Sequence, residues 1–410
     1  MTPTDRPALR AYLHARRTQM DALLAALVQT PTDNPPGDLA AAAERVAGLL
    51  EGLGLDVERH KVPEAAVQAQ GMRSVTNLVA RRRFGPGGKV IALNAHGDVV
   101  PPGEGWTADP YGAEIREGWM LGRGVAVSKS DIVTYAFALL AVAEAGEPRH
   151  GAVELHVTFD EETGGEIGPR WLLEHGISRP DLAIGAGFSY AVTEAHNGCL
   201  HLEIEVTGRS AHAAKPWTGI DALEGATRIL AALYAWRPTL AARTSAIPGI
   251  GAPQLTVGRI AGGINTNVVP DRVTFRLDRR IVPEERPEAV EAELRALIDE
   301  AARGGPPVAV AVRRILLAAP LTPLPGGAAL TALLCAHAGH VMGEPVPAGG
   351  VPLYTDARHY AAAGVPIVLY GAGPRSIEEA NAHRADERLK LDDLHKAAEV
   401  VALAVADLLH

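Results

Sequence analysis

Cysteine, aromatic residues and dense positive charge are all scarce in this chain of 410 residues, and each scarcity removes a class of function. The two cysteines, Cys199 and Cys335, stand far apart and form no CxxC pair, so the spacing supports neither a disulfide framework nor a cysteine-based metal site. A reducing compartment fits that usage. Aromatics are only 4% of the residues against abundant Gly and Ala, which favours close packing of elements over an aromatic-lined binding surface. The formal net charge is -9, and the one basic block, Arg81-Arg82-Arg83, precedes the Gly85-Pro86-Gly87-Gly88 turn and reads as a solvated hairpin rim. Nucleic acid is therefore not an expected partner. No apolar run approaches the ~18 residues of a membrane span, and the opening stretch Met1 to Leu13 is polar where a secretory leader is apolar. The expectation is a cytoplasmic protein with no membrane partner.

What the chain does have is core-forming material: 47% of its residues are hydrophobic, and its length favours two or three folding units. Leu9, Leu13, Met20, Leu24 and Leu27 recur at helical spacing, as do Val46, Leu49, Leu50 and Leu53, predicting two opening amphipathic helices. An apolar run from 90 to 95, a helix over 131–145, an alternating strand over 153–159 and a short strand over 182–185 then predict an α/β sheet. From 198 to 315 the pattern changes to β-α-β-β-α-β, the split βαβ order of a ferredoxin-like sandwich. A helix near 327–338, a strand over 365–370 and a helix over 392–410 resume the first pattern. The predicted organisation is a discontinuous α/β domain, residues 1–197 and 316–410, interrupted by an inserted α+β domain, residues 198–315.

Chemistry concentrates at two strand ends. His96 and Asp98 follow the run 90–95, and side chains two apart in extended chain point the same way, so Asp98 can hold one imidazole nitrogen while the other faces a metal. Asp160-Glu161-Glu162 closes the strand 153–159. Adjacent carboxylates there repel, and a metal relieves the repulsion by taking one as ligand while the other stays a base. A satisfied structural histidine and a solvated acidic turn are the alternatives.

Together with Asn34-Pro-Pro-Gly37, His96-Gly-Asp98-Val-Val-Pro101, Trp106 to Pro110, Gly122-Arg-Gly124 with Lys129, Gly208-Arg-Ser-Ala-His212, Asn267-Val-Val-Pro-Asp271, Thr355-Asp-Ala-Arg358, Gly371-Ala-Gly373 and Ala382-His383 with Glu387, these residues form an ordered set. In that set the chain resembles the zinc metallopeptidases and deacylases that include acetylornithine deacetylase, succinyl-diaminopimelate desuccinylase, aminoacylase and glutamate carboxypeptidase. The resemblance implies a zinc-peptidase-like α/β catalytic domain with an inserted ferredoxin-like dimerisation domain, and hence a homodimer. It implies His96, Glu162 and His383 as metal ligands, Glu161 as the base that activates water, and Asp98 as the residue orienting its histidine. It further implies that His212 reaches the oxyanion across a dimer, and that Asn267, Arg280 and Arg358 contact substrate. An arginine fork suits a substrate carboxylate, as in N-acyl amino acids or short peptides. Read singly, His212 and Arg280 could be solvent-exposed at strand ends, Asn267 could cap a turn and Arg358 could pair with a neighbouring acid.

Two positions depart from the family's pattern. Val127 stands where the family carries an aspartate that bridges two metals, and Ala186 where it carries an acidic ligand of the second metal. Both losses fall on the same ion. With two negative charges removed, a normal dinuclear site is not expected, and His96, Glu162 and His383 form a His2Glu set suited to one catalytic zinc with an open position. Manganese and cobalt are alternatives to zinc. Asp131, one helical turn beyond Val127, could swing in as a replacement ligand or could simply complement the helix N-terminus. Two other classes stay open: metal-free proton transfer by Glu161, as in an isomerase or lyase, and a binding protein without turnover.

Overall fold

The structure is a computed structural model that describes residues 6–146 and 149–409; residues 1–5 of the opening polar stretch and His410 of the expected last helix lie outside them. The chain divides into two compact units. One comprises the chain up to Glu194, Pro323–Gly349 and everything from Thr355; the other comprises Ala195–Thr322 with Gly350–Tyr354. The second unit thus exceeds the expected 198–315 range. Its last strand runs on to Ala318, and the Gly350–Tyr354 segment joins it through Gly350 N–H to the Pro248 carbonyl at 2.8 Å and Asn197 N–H to the Val351 carbonyl at 3.2 Å.

Unit one is built on a mixed sheet whose first six strands lie in the order Val57–Lys61, Thr76–Gly85, Gly151–Thr158, Val90–His96, Leu182–Gly185 and Ile367–Leu369. Val90–His96 runs parallel to both of its neighbours, and its near-continuous apolar run is what a strand covered on both faces requires. The helix Lys129–Glu144 is apolar on nearly every side and is accordingly buried in the same core, packed against Leu391–Leu408. Register aligns the carboxyl ends: His96 lies opposite Thr158, and Asn94 opposite Gly185. Segments that follow these strands therefore meet at one sheet edge, where ligand sites of α/β sheets form.

Two sequence expectations change. The opening periodicity resolves into three helices, Pro7–His14, Arg17–Val28 and Ala40–Glu51, because a turn at Ala15–Arg16 breaks the first run. The Arg81–Arg83 block is not a hairpin rim: Thr76–Gly85 pairs with Gly151–Thr158 and Val57–Lys61, not with the strand that follows it. Arg81 is held there by Glu58 and, at 2.8 Å, by Glu154.

Unit two is a four-stranded antiparallel sheet, in the order Leu255–Gly262, Arg272–Ile281, Gly198–Thr207, Ala309–Ala318, with the helices Ala222–Trp236 and Pro287–Arg303 on one face. Period-two alternation sends Leu200, Leu202, Ile204 and Val206 into that helix-covered core. Asp221 starts the first helix by accepting the Leu223 and Glu224 amides. This is the ferredoxin-like order expected from the sequence.

A buried ion pair fixes the loop that carries His383. Arg123 donates to Glu387 at 2.6 Å and to the Arg384 carbonyl at 3.2 Å, and the other Glu387 oxygen accepts the Ala126 amide at 3.1 Å. Both side chains are almost wholly buried, so removing one partner leaves an uncompensated charge. Glu387→Ala should cost about 3–5 kcal/mol of stability, measured by urea unfolding; a loss under about 1 kcal/mol, the size of an exposed pair, would show the pair to be dispensable.

Candidate active site

The strand Val90–His96 delivers His96 to the sheet edge, and Ser128 clamps its backbone there. The Ser128 hydroxyl accepts the His96 amide at 2.9 Å and donates to the His96 carbonyl at 3.1 Å. His96 Nδ1 sits 3.0 Å from the Asp98 carbonyl and 3.4 Å from the Asp98 carboxylate. A carbonyl can only accept, so Nδ1 carries a proton and Nε2 is the ring nitrogen left to face another partner, a lone pair available to a cation once its own proton is displaced.

Asp98 is fully buried and does more than face the imidazole. Its Oδ2 accepts from Asn34 Nδ2 at 2.9 Å and from the Glu162 amide at 3.1 Å, and its Oδ1 from the Glu161 amide at 3.3 Å. One carboxylate thereby fixes both the histidine and the 3-10 turn Glu161–Thr163 that presents the two glutamates. Donor atoms of His96, Glu161 and Glu162 all lie within 4.8 Å of one another. His383, held at a positive φ of 61° after the helix Ile377–Ala380, places Nε2 3.5 Å from Glu162 Oε1 while much of its side chain stays exposed. A non-glycine residue in that conformation is uncommon and gathers at functional sites.

Electrostatics give the cluster its character. Burial alone would push the His96 imidazole down, but the carboxylates of Asp98, Glu161 and Glu162 outweigh it and hold it well above its ordinary range. Burial pushes the Glu161 carboxyl well up, His96 opposes the shift, and Glu162, Asp356 and Asp98 add to it. Both directions mean the same thing: the protein alone binds positive charge here. An imidazole with a free Nε2 beside two crowded carboxylates is a donor set that fits a divalent cation.

Val127 and Ala186 border this edge with aliphatic side chains only. Val127 packs against the hydrophobic core, and the Ala186 amide donates to the Asn94 carbonyl at 2.9 Å. Asp131 does not replace them. It is buried, with Oδ1 accepting the Ala372 amide at 2.7 Å and the Gly187 amide also in reach, so it latches the loops after two strands. Burial raises its carboxyl to about 7.

Asp356 is a residue that sequence reasoning missed, although it stood inside the Thr355-Asp-Ala-Arg358 motif. It is buried, its Oδ2 has no hydrogen-bond partner among the described residues, and burial, countered by His96 and reinforced by Asp98, raises it to about 7. Asn34 was likewise visible only as part of a motif. Arg358 is buried, donates to the Gly164 carbonyl and faces Glu166 at 3.7 Å, so it braces the turn that follows Glu162. His212, Asn267 and Arg280 all belong to unit two. His212 is exposed and bridges to Val268, and the Ala213 amide donates to the Asn267 carbonyl at 3.0 Å, which sets the two segments side by side. Arg280 Nε donates to Asp278 at 3.1 Å.

The family model described as peptidase family M20/M25/M40 matches residues 92–407. The chain belongs to this family. It is therefore an amide-bond hydrolase of the metallopeptidase and deacylase type. It is 31% identical over 388 residues to a succinyl-diaminopimelate desuccinylase of Sphingopyxis alaskensis, covering 92% of this chain and 95% of that protein. It is 28% identical over 360 residues to an acetylornithine deacetylase of Myxococcus xanthus, covering 87% and 89%. Among solved structures it is similar to a di-peptidase of Saccharomyces cerevisiae, with a TM-score of 0.79 at 15% identity over 98% of both chains. An M20 family metallo-carboxypeptidase from Sulfolobus solfataricus gives a TM-score of 0.77 at 17% identity, covering 95% of this chain and 98% of that one. At such identities the structural likeness speaks for the fold alone.

If Asp98 organises the donors, Asp98→Ala should weaken zinc binding by about 10–100-fold, as removal of an outer-shell partner typically does. Calorimetric titration of metal-stripped protein reads this, and an unchanged affinity would mean that Asp98 supports the fold but not the site.

Proposed function

We propose that this chain hydrolyses the amide bond of a small, carboxylate-bearing N-acyl amino acid or dipeptide with a single divalent metal, zinc by preference, held by His96, Glu162 and His383. The observation that carries the reading is the convergence of His96, Glu161 and Glu162 within 4.8 Å, with His383 beside Glu162, where Val127 and Ala186 offer no donor for a second ion. Deacylase names among the relatives support the substrate class.

A bound cation would polarise the scissile carbonyl and lower the pKa of the attacking water. Glu161 takes the water proton and returns it to the departing nitrogen, and the upward push on its carboxyl is the direction a base working near neutral pH needs. Asp98 holds the His96 ring and the glutamate turn in place throughout. Glu161 has no rival for this role in the cluster, since Glu162 is committed as ligand. Arg358, already bonded to the Gly164 carbonyl, keeps the substrate role implied by the family resemblance only through its remaining donors, while His212, Asn267 and Arg280 carry theirs on that resemblance alone. The same resemblance assigns the inserted unit to homodimerisation. No helix among the described residues is long and apolar enough to cross a membrane, which agrees with the cytoplasmic reading.

Metal-stripped protein assayed on N-acyl amino acids and dipeptides should be inactive and should regain turnover with zinc, manganese or cobalt. Glu162→Ala should lose one equivalent of tightly bound zinc together with turnover, whereas Glu161→Gln should keep the metal and lose about 10²–10⁴-fold in kcat. Turnover that resists chelator would overturn the metal-dependent reading in favour of proton transfer by Glu161, and substrate binding without turnover would favour a binding protein. Adding acids back, with Val127→Asp and Ala186→Glu together, should raise the tightly bound zinc by one equivalent; no increase would mean that the second position is closed for reasons other than the lost carboxylates.

A further inference from the structure

A second donor cluster lies wholly within unit two, on the face of its sheet that the helices leave uncovered. The alternation that buries Leu200, Leu202 and Ile204 turns Cys199 and His201 to the opposite face, and register sets Asp278 directly across from His201 and Arg280 across from Cys199. Cys199 Sγ lies 3.1 Å from His201 Nε2, and the same Nε2 lies 3.1 Å from Asp278 Oδ2. Sulfur, nitrogen and oxygen thus converge within 4.8 Å.

His201 stands between two possible ligand partners. His201 Nε2 carries at most one proton, yet it faces both a sulfur and a carboxylate oxygen. A cation at the common point would serve all three. Bond lengths of about 2.0–2.3 Å in a tetrahedral zinc site put neighbouring ligand atoms roughly 3.3–3.6 Å apart, so each of the two 3.1 Å contacts to His201 Nε2 needs to lengthen by only a few tenths of an ångström. The remaining Asp278 oxygen accepts from Arg280 Nε at 3.1 Å, the kind of outer contact that orients a ligating carboxylate. A groove of about 630 Å³, lined among others by His201, Asp278, Arg276 and Arg280, gives solvent access to the cluster.

We propose that Cys199, His201 and Asp278 form a zinc site in unit two, distinct from the His96 cluster, with a fourth position open to the groove beside Arg280. A thiolate, an imidazole and a carboxylate together select zinc over hard oxygen-seeking cations such as magnesium or calcium. No local motif marks the site, because the third ligand lies 77 residues from His201 and no cysteine pair accompanies Cys199.

Cobalt titration of the reduced, metal-stripped full chain tests the site, because a thiolate ligand adds near-ultraviolet charge-transfer absorption that the sulfur-free donors of His96, Glu161, Glu162 and His383 cannot produce. The band should appear in the wild type and in Cys335→Ser, and should vanish in Cys199→Ser. Because Cys199 is fully buried, His201→Ala provides a second variant at a half-exposed position, in which cobalt affinity read by the band should fall at least tenfold. Absence of the band when cobalt restores hydrolysis would overturn this proposal and leave the hydrolase reading intact. Survival of the band in Cys199→Ser, or undiminished affinity in His201→Ala, would overturn it as well.

Discussion

Everything at the candidate active site depends on carboxylates being held closer together than they would choose. Asp98, Glu161 and Glu162 crowd around His96 at the edge where parallel strands end, with Asp160 and Asp356 buried close by. Two unit charges 4 Å apart cost about 4 kcal/mol at an effective dielectric of 20, so each close pair needs a counter-charge. The fold supplies part of the answer through backbone amides, which Asp98 gathers from the Glu161–Glu162 turn. On the proposed reading, a divalent cation between the imidazole and the glutamates would supply the rest.

That constraint explains why the loss of two acids need not end the chemistry. Val127 and Ala186 remove charge from the side that would serve a second ion, and Asp131, whose sequence position suggested a substitute, is committed to the Ala372 amide. On the proposed reading a site of this kind balances one cation better than two, with Glu161 as its base and the Ser128 clamp on His96 in place. The Arg123–Glu387 pair extends the same logic outward, because it anchors the loop that brings His383 to its glutamate.

Much of this was legible in the chain itself, and the reasons are local. The β-α-β-β-α-β order read over 198–315 is the order the structure has, with its second helix at Pro287–Arg303. His96, Asp98, Glu161 and Glu162 could be found because each pair is adjacent or two apart on one strand end. Asp356, Ser128 and Asn34 could not be assigned roles, since what makes them matter is proximity across long sequence separations: Asn34 meets Asp98 over 64 residues and Ser128 meets His96 over 32. Sheet order was hidden for the same reason, and so Arg81–Arg83 looked like a hairpin rim when the following strand lies two places away in the sheet. The break between the first two helices fell at Ala15–Arg16, where no glycine or proline announced it.

The central claim, that one cation rather than two or none sits among these residues, is tested most directly by anomalous diffraction at the zinc edge from zinc-loaded crystals. The account predicts, in unit one, a single peak within bonding distance of His96, Glu162 and His383, with Glu161 nearby and not bonded. A pair of peaks about 3.5–4 Å apart, the spacing of a dinuclear centre, or no peak among these side chains at full zinc loading, would contradict it.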